Sequence, residues 1–124
     1  MTNHKTLTNV QIRYLLQLKE LAKEGEGVRS VQLAKALTVS KPSVHTMFNT
    51  FRDMGLITKD AYGSAFLSAE GAAIAARYER YYTAVYQVLL EHFPACDALP
   101  EAVCLLLAKI PQQDLEQVWQ ERRK

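Results

Sequence analysis

Val31-Gln-Leu-Ala-Lys-Ala-Leu-Thr-Val-Ser-Lys-Pro-Ser-Val-His-Thr-Met-Phe-Asn-Thr-Phe-Arg-Asp-Met-Gly-Leu-Ile57 is the segment on which the fold turns. It opens with a short helix over about 30–37, with Ser30 at the N-cap position and Val31, Leu33, Ala34 and Leu37 as its apolar side. Thr38 to Ser43 is a polar turn. Pro42 stands as at a first helical position, where its fixed φ and missing N–H cost nothing. A helix then runs to about Met54. Val44, Met47, Phe48 and Phe51 recur at i, i+3, i+4 and i+7 and form its buried stripe. The other face carries Ser43, His45, Thr46, Asn49, Thr50 and Arg52, which offer hydrogen-bonding groups and no bulky aliphatics. Gly55 stops the helix.

Upstream, residues 8–23 read as a helix whose apolar face is Val10, Tyr14, Leu15, Leu18 and Leu21. Thr8 or Asn9 caps it, and Gly25 and Gly27 end it. Downstream, Leu56 to Lys59 and Ala65 to Ser68 are short strands joined by the turn Asp60-Ala-Tyr-Gly-Ser64, a β-hairpin. A long helix follows from Ala69 to about Phe93, with Ile74, Tyr78, Tyr81, Tyr82, Val85, Leu89 and Leu90 on a broad apolar-aromatic face. Pro94 breaks it. A helix over about 98–109 holds Val103, Leu105, Leu106 and Leu107 and ends before Pro111. Residues 112–122 form the last helix, with Leu115, Val118 and Trp119 on one side and basic residues at its C-terminal end, where they suit the helix dipole.

This order predicts a mainly α protein: a winged helix-turn-helix with a small β-hairpin wing over residues 1–68, then a helical region over 69–124. Leu89, Leu90, Leu105, Leu106 and Leu107 exceed what one small winged helix can cover, so the helical region is expected to be a dimerisation region. The 124 residues are 48% hydrophobic and 23% charged, which excludes a disordered chain. No apolar run reaches the roughly 18–20 residues of a membrane span, and Met1 to Thr6 has no apolar leader. Cys96 and Cys104 make neither a disulfide framework nor a zinc-finger spacing. A cytoplasmic protein is expected. Residues 1–66 hold nine Lys/Arg against five Asp/Glu, and residues 67–124 hold six against eight. That asymmetry suits a nucleic-acid reader joined to a partner-facing part; ordinary scatter gives the same figures.

The third helix, packed through its apolar stripe, presents a polar face narrow enough for a major groove. Short side chains such as Ser43, Thr46 and Asn49 let the backbone approach base edges. Lys59 or Tyr62 of the hairpin can touch phosphate or the minor groove. The segment 31–57 resembles the helix-turn-helix of the diphtheria-toxin-repressor family, the iron- and manganese-dependent bacterial transcription regulators. Leu67-Ser68-Ala69-Glu70-Gly71 is similar to that family's Leu-Thr-x-x-Gly step from wing to linker helix. The long helix, proline break and second helix match its dimerisation region in order and length. The resemblance covers about residues 8–110. It implies contacts to double-stranded DNA from Ser40, Pro42, Ser43 and Thr46; the exposed face adds Lys41, His45, Asn49 and Thr50. His45 is either a donor to DNA or a solvated surface histidine.

The resemblance also implies a regulatory metal, and here the residues depart from it. The family's ligands are Asp, Glu or Met on the first helix, a His eleven residues after the glycine of the wing step, and Glu/Cys-x-x-Glu-His. These positions fall on Arg13, Tyr82, Cys104, Leu107 and Ala108. Only Cys104 keeps a donor atom, and a transition metal needs three or more. No cofactor is therefore expected. The alternative is a divalent metal on His92, Cys96 and Cys104, within a cluster that also includes Glu91, Asp97 and Glu101; buried structural thiols are the commoner outcome for such a pair. Tyr78, Tyr82 and Tyr86 share one face and read as a packed aromatic seam, with an effector pocket as the sharper alternative. His4, His45 and His92 are scattered, and no nucleophile elbow, phosphate loop or HExxH is present, so an enzyme is not expected. Two readings follow: a homodimeric DNA-binding transcription regulator, most simply a repressor, that does not depend on the usual metal; or a winged-helix protein-interaction module that no longer binds DNA.

Overall fold

A computed structural model describes residues 6–124; His4 and Lys5 lie outside the described residues. The elements are α1 (Asn9–Ala22), α2 (Ser30–Leu37), α3 (Lys41–Asp53), β1 (Ile57–Lys59), β2 (Ala65–Leu67), α4 (Ala69–His92), α5 (Leu99–Lys109) and α6 (Gln112–Arg122). This is a mainly α winged helix with a two-stranded antiparallel wing. The chain divides into two compact units: Tyr14–Ala76, and the described residues up to Arg13 with Arg77–Lys124.

In the first unit, Ser40 caps α3: its hydroxyl accepts the Ser43 N–H at 3.2 Å. Pro42 falls at the second helical residue, where the absent N–H is still harmless. Val44, Phe48 and Phe51 are buried and Met47 half-buried, so α3 packs through the stripe expected of it. α3 lies against α2 and β1. Val31, expected on the apolar side of α2, is exposed, and Leu33, Ala34 and Leu37 alone are buried there. Two further local details differ from expectation. Arg29, not Ser30, occupies the N-cap of α2, and the Gln32 side chain accepts the Arg29 N–H at 2.8 Å. α1 buries Ile12, Tyr14, Leu15, Leu18 and Ala22, while Val10 is exposed; the apolar stripe is rotated from the one drawn through Val10.

The wing pairs Ile57 with Leu67, Thr58 with Phe66 and Lys59 with Ala65. Ala65 is also held from its other side: Val28 exchanges both backbone bonds with it at 2.8 Å. Where the wing returns to α4, one side chain makes the joint. The Ser68 hydroxyl donates to the Gly55 carbonyl at 2.7 Å and accepts the Gly71 N–H at 2.9 Å. The Ser68 N–H donates to the Leu56 carbonyl at 2.9 Å. Gly55 has a φ of +79°, a conformation that glycine adopts without strain. Gly71 passes so near the Leu56 carbonyl that a Cβ there would collide with it.

In the second unit, Thr8 and Gln11 form a reciprocal cap at the start of α1, with bonds of 3.0 and 3.1 Å. Leu7, Ile12, Tyr78, Tyr81, Val85, Val103, Leu107 and Leu115 are core residues. The tyrosine seam resolves into two pairs: Tyr78 meets Tyr81 edge-to-face at 6.4 Å, and Tyr82 stacks on Tyr86 at 5.8 Å. Tyr81 donates to Glu116 at 2.8 Å. Leu105 and Leu90, expected on apolar faces, are exposed, and Cys104 takes the buried place beside Val103. Arg122 closes α6 onto α4 through Glu91, with one bond at 2.8 Å.

Two outcomes test this packing. Gly71→Ala should lower stability in chemical denaturation by at least about 2 kcal/mol, because backbone cannot yield as a flexible side chain does; an unchanged midpoint would place Gly71 elsewhere. Burial, with the bond to Glu116 next, holds the Tyr81 hydroxyl up at about 12. An unfolded tyrosine titrates near 10, so this stabilisation is whole below pH ~10 and fades as pH rises from about 10 towards 12. Tyr81→Phe should unfold earlier than wild type at pH 8, and the gap should narrow over that alkaline window.

Candidate nucleic-acid interface

The residues singled out on α3 lie opposite its buried stripe. Ser40, Lys41, Pro42, Ser43, His45, Thr46 and Asn49 are exposed, and Thr50 is half-buried. The helix start is ordered by its own side chains: besides the cap, the Ser40 and Ser43 hydroxyls lie 2.9 Å apart in a hydrogen bond. The Thr50 hydroxyl donates back to the Thr46 carbonyl at 3.1 Å, so one of its bonding positions is spent within the helix. Arg52, also on this side, stands 3.8 Å from Asp53, a loose and exposed pair.

The wing contributes through two residues. Lys59, half-buried on β1, reaches the Asn49 side-chain carbonyl at 3.4 Å. This contact joins the wing to the third helix and has no signature in sequence, because it depends on how strand and helix cross. At the wing tip, one Asp60 oxygen accepts the N–H groups of Tyr62 and Ser64, each at 2.9 Å. That Asx turn, with Gly63 at a φ of +82°, holds the tip in shape. Tyr62 stands 92% exposed, without the cover a ring of its size ordinarily finds.

Taken as chemistry, the surface offers hydroxyls at Ser43 and Thr46, an amide at Asn49, an imidazole at His45, and cations at Lys41 and Lys59. Side chains of these types pair with base edges and phosphate oxygens. Nothing in the set assembles a nucleophile with a base.

The positions that the family resemblance assigns to metal ligands all fall in the second unit. Arg13 is exposed, and no hydrogen bond joins it to Tyr82. Burial pushes the Cys104 thiol up, with the Arg13 charge opposing, so the neutral thiol is favoured. Leu107 and Ala108 have no donor atoms. This donor set does not fit a divalent cation. The alternative set is not assembled either. His92 and Cys96 are exposed at and beyond the end of α4 while Cys104 is buried in α5, and among the described residues no three His, Cys, Asp or Glu side chains come together. The expectation of two buried thiols fails at Cys96, whose sulfur accepts the Ala98 N–H at 3.4 Å in an open turn.

No protein-family model matches the chain, and no curated protein matches it in sequence. Solved structures share its winged-helix fold. The manganese regulator SloR superposes with a TM-score of 0.77 at 22% identity, over 91% of this chain and 53% of its own. The metal-dependent transcriptional regulator MtsR gives 0.74 at 19% identity, also over 91% of this chain and 53% of its own. A hypothetical protein from Sulfolobus solfataricus gives 0.68 at 18% identity, over 94% of this chain and 89% of its own. The chain thus spans about half the length of the two regulators. Among the described residues no helix is long and apolar enough to cross a membrane.

Proposed function

We propose that the chain is a non-catalytic, DNA-binding transcription regulator, most simply a repressor, in which residues 1–68 read double-stranded DNA and residues 69–124 hold two copies together. The observation that carries the reading is the tie between Lys59 and Asn49, which turns the wing and the outward face of α3 into one polar surface. Ser40, Lys41, Pro42 and Ser43 enter the groove first, His45, Thr46, Asn49 and Thr50 follow along it, and Lys59 and Tyr62 flank the backbone. The fold shared with two regulators supports this assignment. Replacing Thr46 and Asn49 together with Ala should weaken binding to a selected operator by ~1–3 kcal/mol for each base-edge pairing removed, with the unfolding midpoint retained. Wild-type affinity in the double variant would remove α3 as the reading element. Affinity for random duplex that does not change with salt would favour the protein-interaction module instead.

Regulation in this reading does not pass through the family's metal. Arg13 places a fixed positive charge at a ligand position, and like charges at short range repel. Operator affinity measured with manganese, iron or zinc, and again with a chelator, should agree. A gain of about tenfold on adding metal, roughly 1.4 kcal/mol of coupling, would show that a ligand set exists after all.

A homodimer is the assembly proposed for this chain. Leu90, Phe93 and Leu105 of the second unit are 42%, 57% and 49% exposed, and apolar side chains left open in this way mark interfaces when they gather. Sedimentation at micromolar concentration should give twice the 14.0 kDa chain mass; a species of 14.0 kDa alone would refute it.

A further inference from the structure

Within the second unit, the segment before α1, the part of α4 beyond Ala76, and the α5–α6 turn line a partly open cavity of about 340 Å³. Leu7, Tyr78, Leu107 and Leu115 give it apolar and aromatic walls, and Arg77 and Lys109 bring two cations to it. The Arg77 guanidinium lies over the Tyr78 ring at 5.8 Å, and its Nε is buried without a hydrogen-bond partner. Two carboxylates of this unit are engaged elsewhere: Glu116 accepts from Tyr81 and Gln120, and Glu91 holds Arg122. Burying part of a guanidinium with nothing to accept its N–H is costly. Arg77 and Lys109 both line the cavity, and an anion there would meet two cations.

The walls say what the rest of that anion must be. Leu107 and Ala108, two of the positions at which the resembled family places metal donors, here line the cavity and carry hydrocarbon. With cations at its lining, the space rejects a metal ion and accepts the opposite charge. Its volume is at the small end of ligand sites. We propose that this cavity binds a small monocarboxylate carrying an apolar chain or ring of roughly six to ten carbons. The carboxylate pairs with Arg77, Lys109 adds to the field, and the hydrocarbon lies among Leu7, Leu107 and Leu115.

The test is calorimetric titration of the full-length protein with octanoate, 1-octanol and octylamine at one ionic strength. Octanoate should bind at least about tenfold more tightly than octanol, and octylamine should not bind, since charge-assisted pairing with the guanidinium is the discriminating contact. Arg77→Met should lose at least about tenfold in octanoate affinity, and Ala108→Phe, which fills the space, should abolish binding. Octanoate binding no tighter than octanol, or wild-type octanoate affinity in either folded variant, would overturn the proposal. Should a variant fail to fold, the octanoate-to-octanol ratio of the wild-type protein decides alone. The titration contains no DNA, so its outcome is separate from that of the regulator reading.

Discussion

The Ser68 hydroxyl, donating to the Gly55 carbonyl and accepting from the Gly71 N–H, is the contact around which the winged unit is arranged. It sits where the end of α3 meets the start of α4. The wing leaves from this joint after Leu56 and returns to it after Leu67, so the hairpin is tethered at both feet. Three backbone facts make the joint possible. Gly55 turns through positive φ, Leu56 offers its carbonyl to Ser68, and Gly71 lacks the Cβ that would strike that carbonyl. The Leu-Ser-x-x-Gly step is thus a steric and hydrogen-bonding requirement: a hydroxyl that both caps a helix and ties it to the preceding one, and a glycine three residues later.

From that joint the candidate interface follows. With the C-terminal end of α3 and the base of β1 fixed together, Lys59 comes within reach of Asn49, and the polar face of the helix continues into the wing. The Asx turn at Asp60 keeps Tyr62 outward at the tip. The second unit contributes different chemistry. Its cavity has apolar walls and two cations at its lining, one of them the Arg77 guanidinium whose Nε is without a hydrogen-bond partner.

Much of this is legible in the sequence where local chemistry decides the matter. Ser40 and Pro42 mark the start of α3, Gly55 its end, and Pro111 the start of α6, because caps, prolines and positive-φ glycines act within a few residues. Burial is less legible where apolar residues surround a helix. Val10 and Leu105 are as suited to the core by type as Ile12 and Cys104, and only packing chooses between them. Arg29 displaces Ser30 as the cap of α2 because Gln32 can reach back to its N–H. The Val28–Ala65 pairing has no strand pattern to announce it, being a single residue long. Cys96 lies in the turn after Pro94, where no periodicity reports burial. The Lys59–Asn49 contact and the Arg77 cavity arise from elements brought together by the fold, so no residue-by-residue pattern signals them.

Whether the outward face of α3 and the wing form one DNA-contacting surface is decided by amide chemical-shift mapping of the labelled protein with a short random duplex at low salt. Shifts should concentrate from Ser40 to Thr50 and from Lys59 to Ser64 and weaken together as salt is raised. Shifts confined to α4–α6, or none in α3, would contradict it.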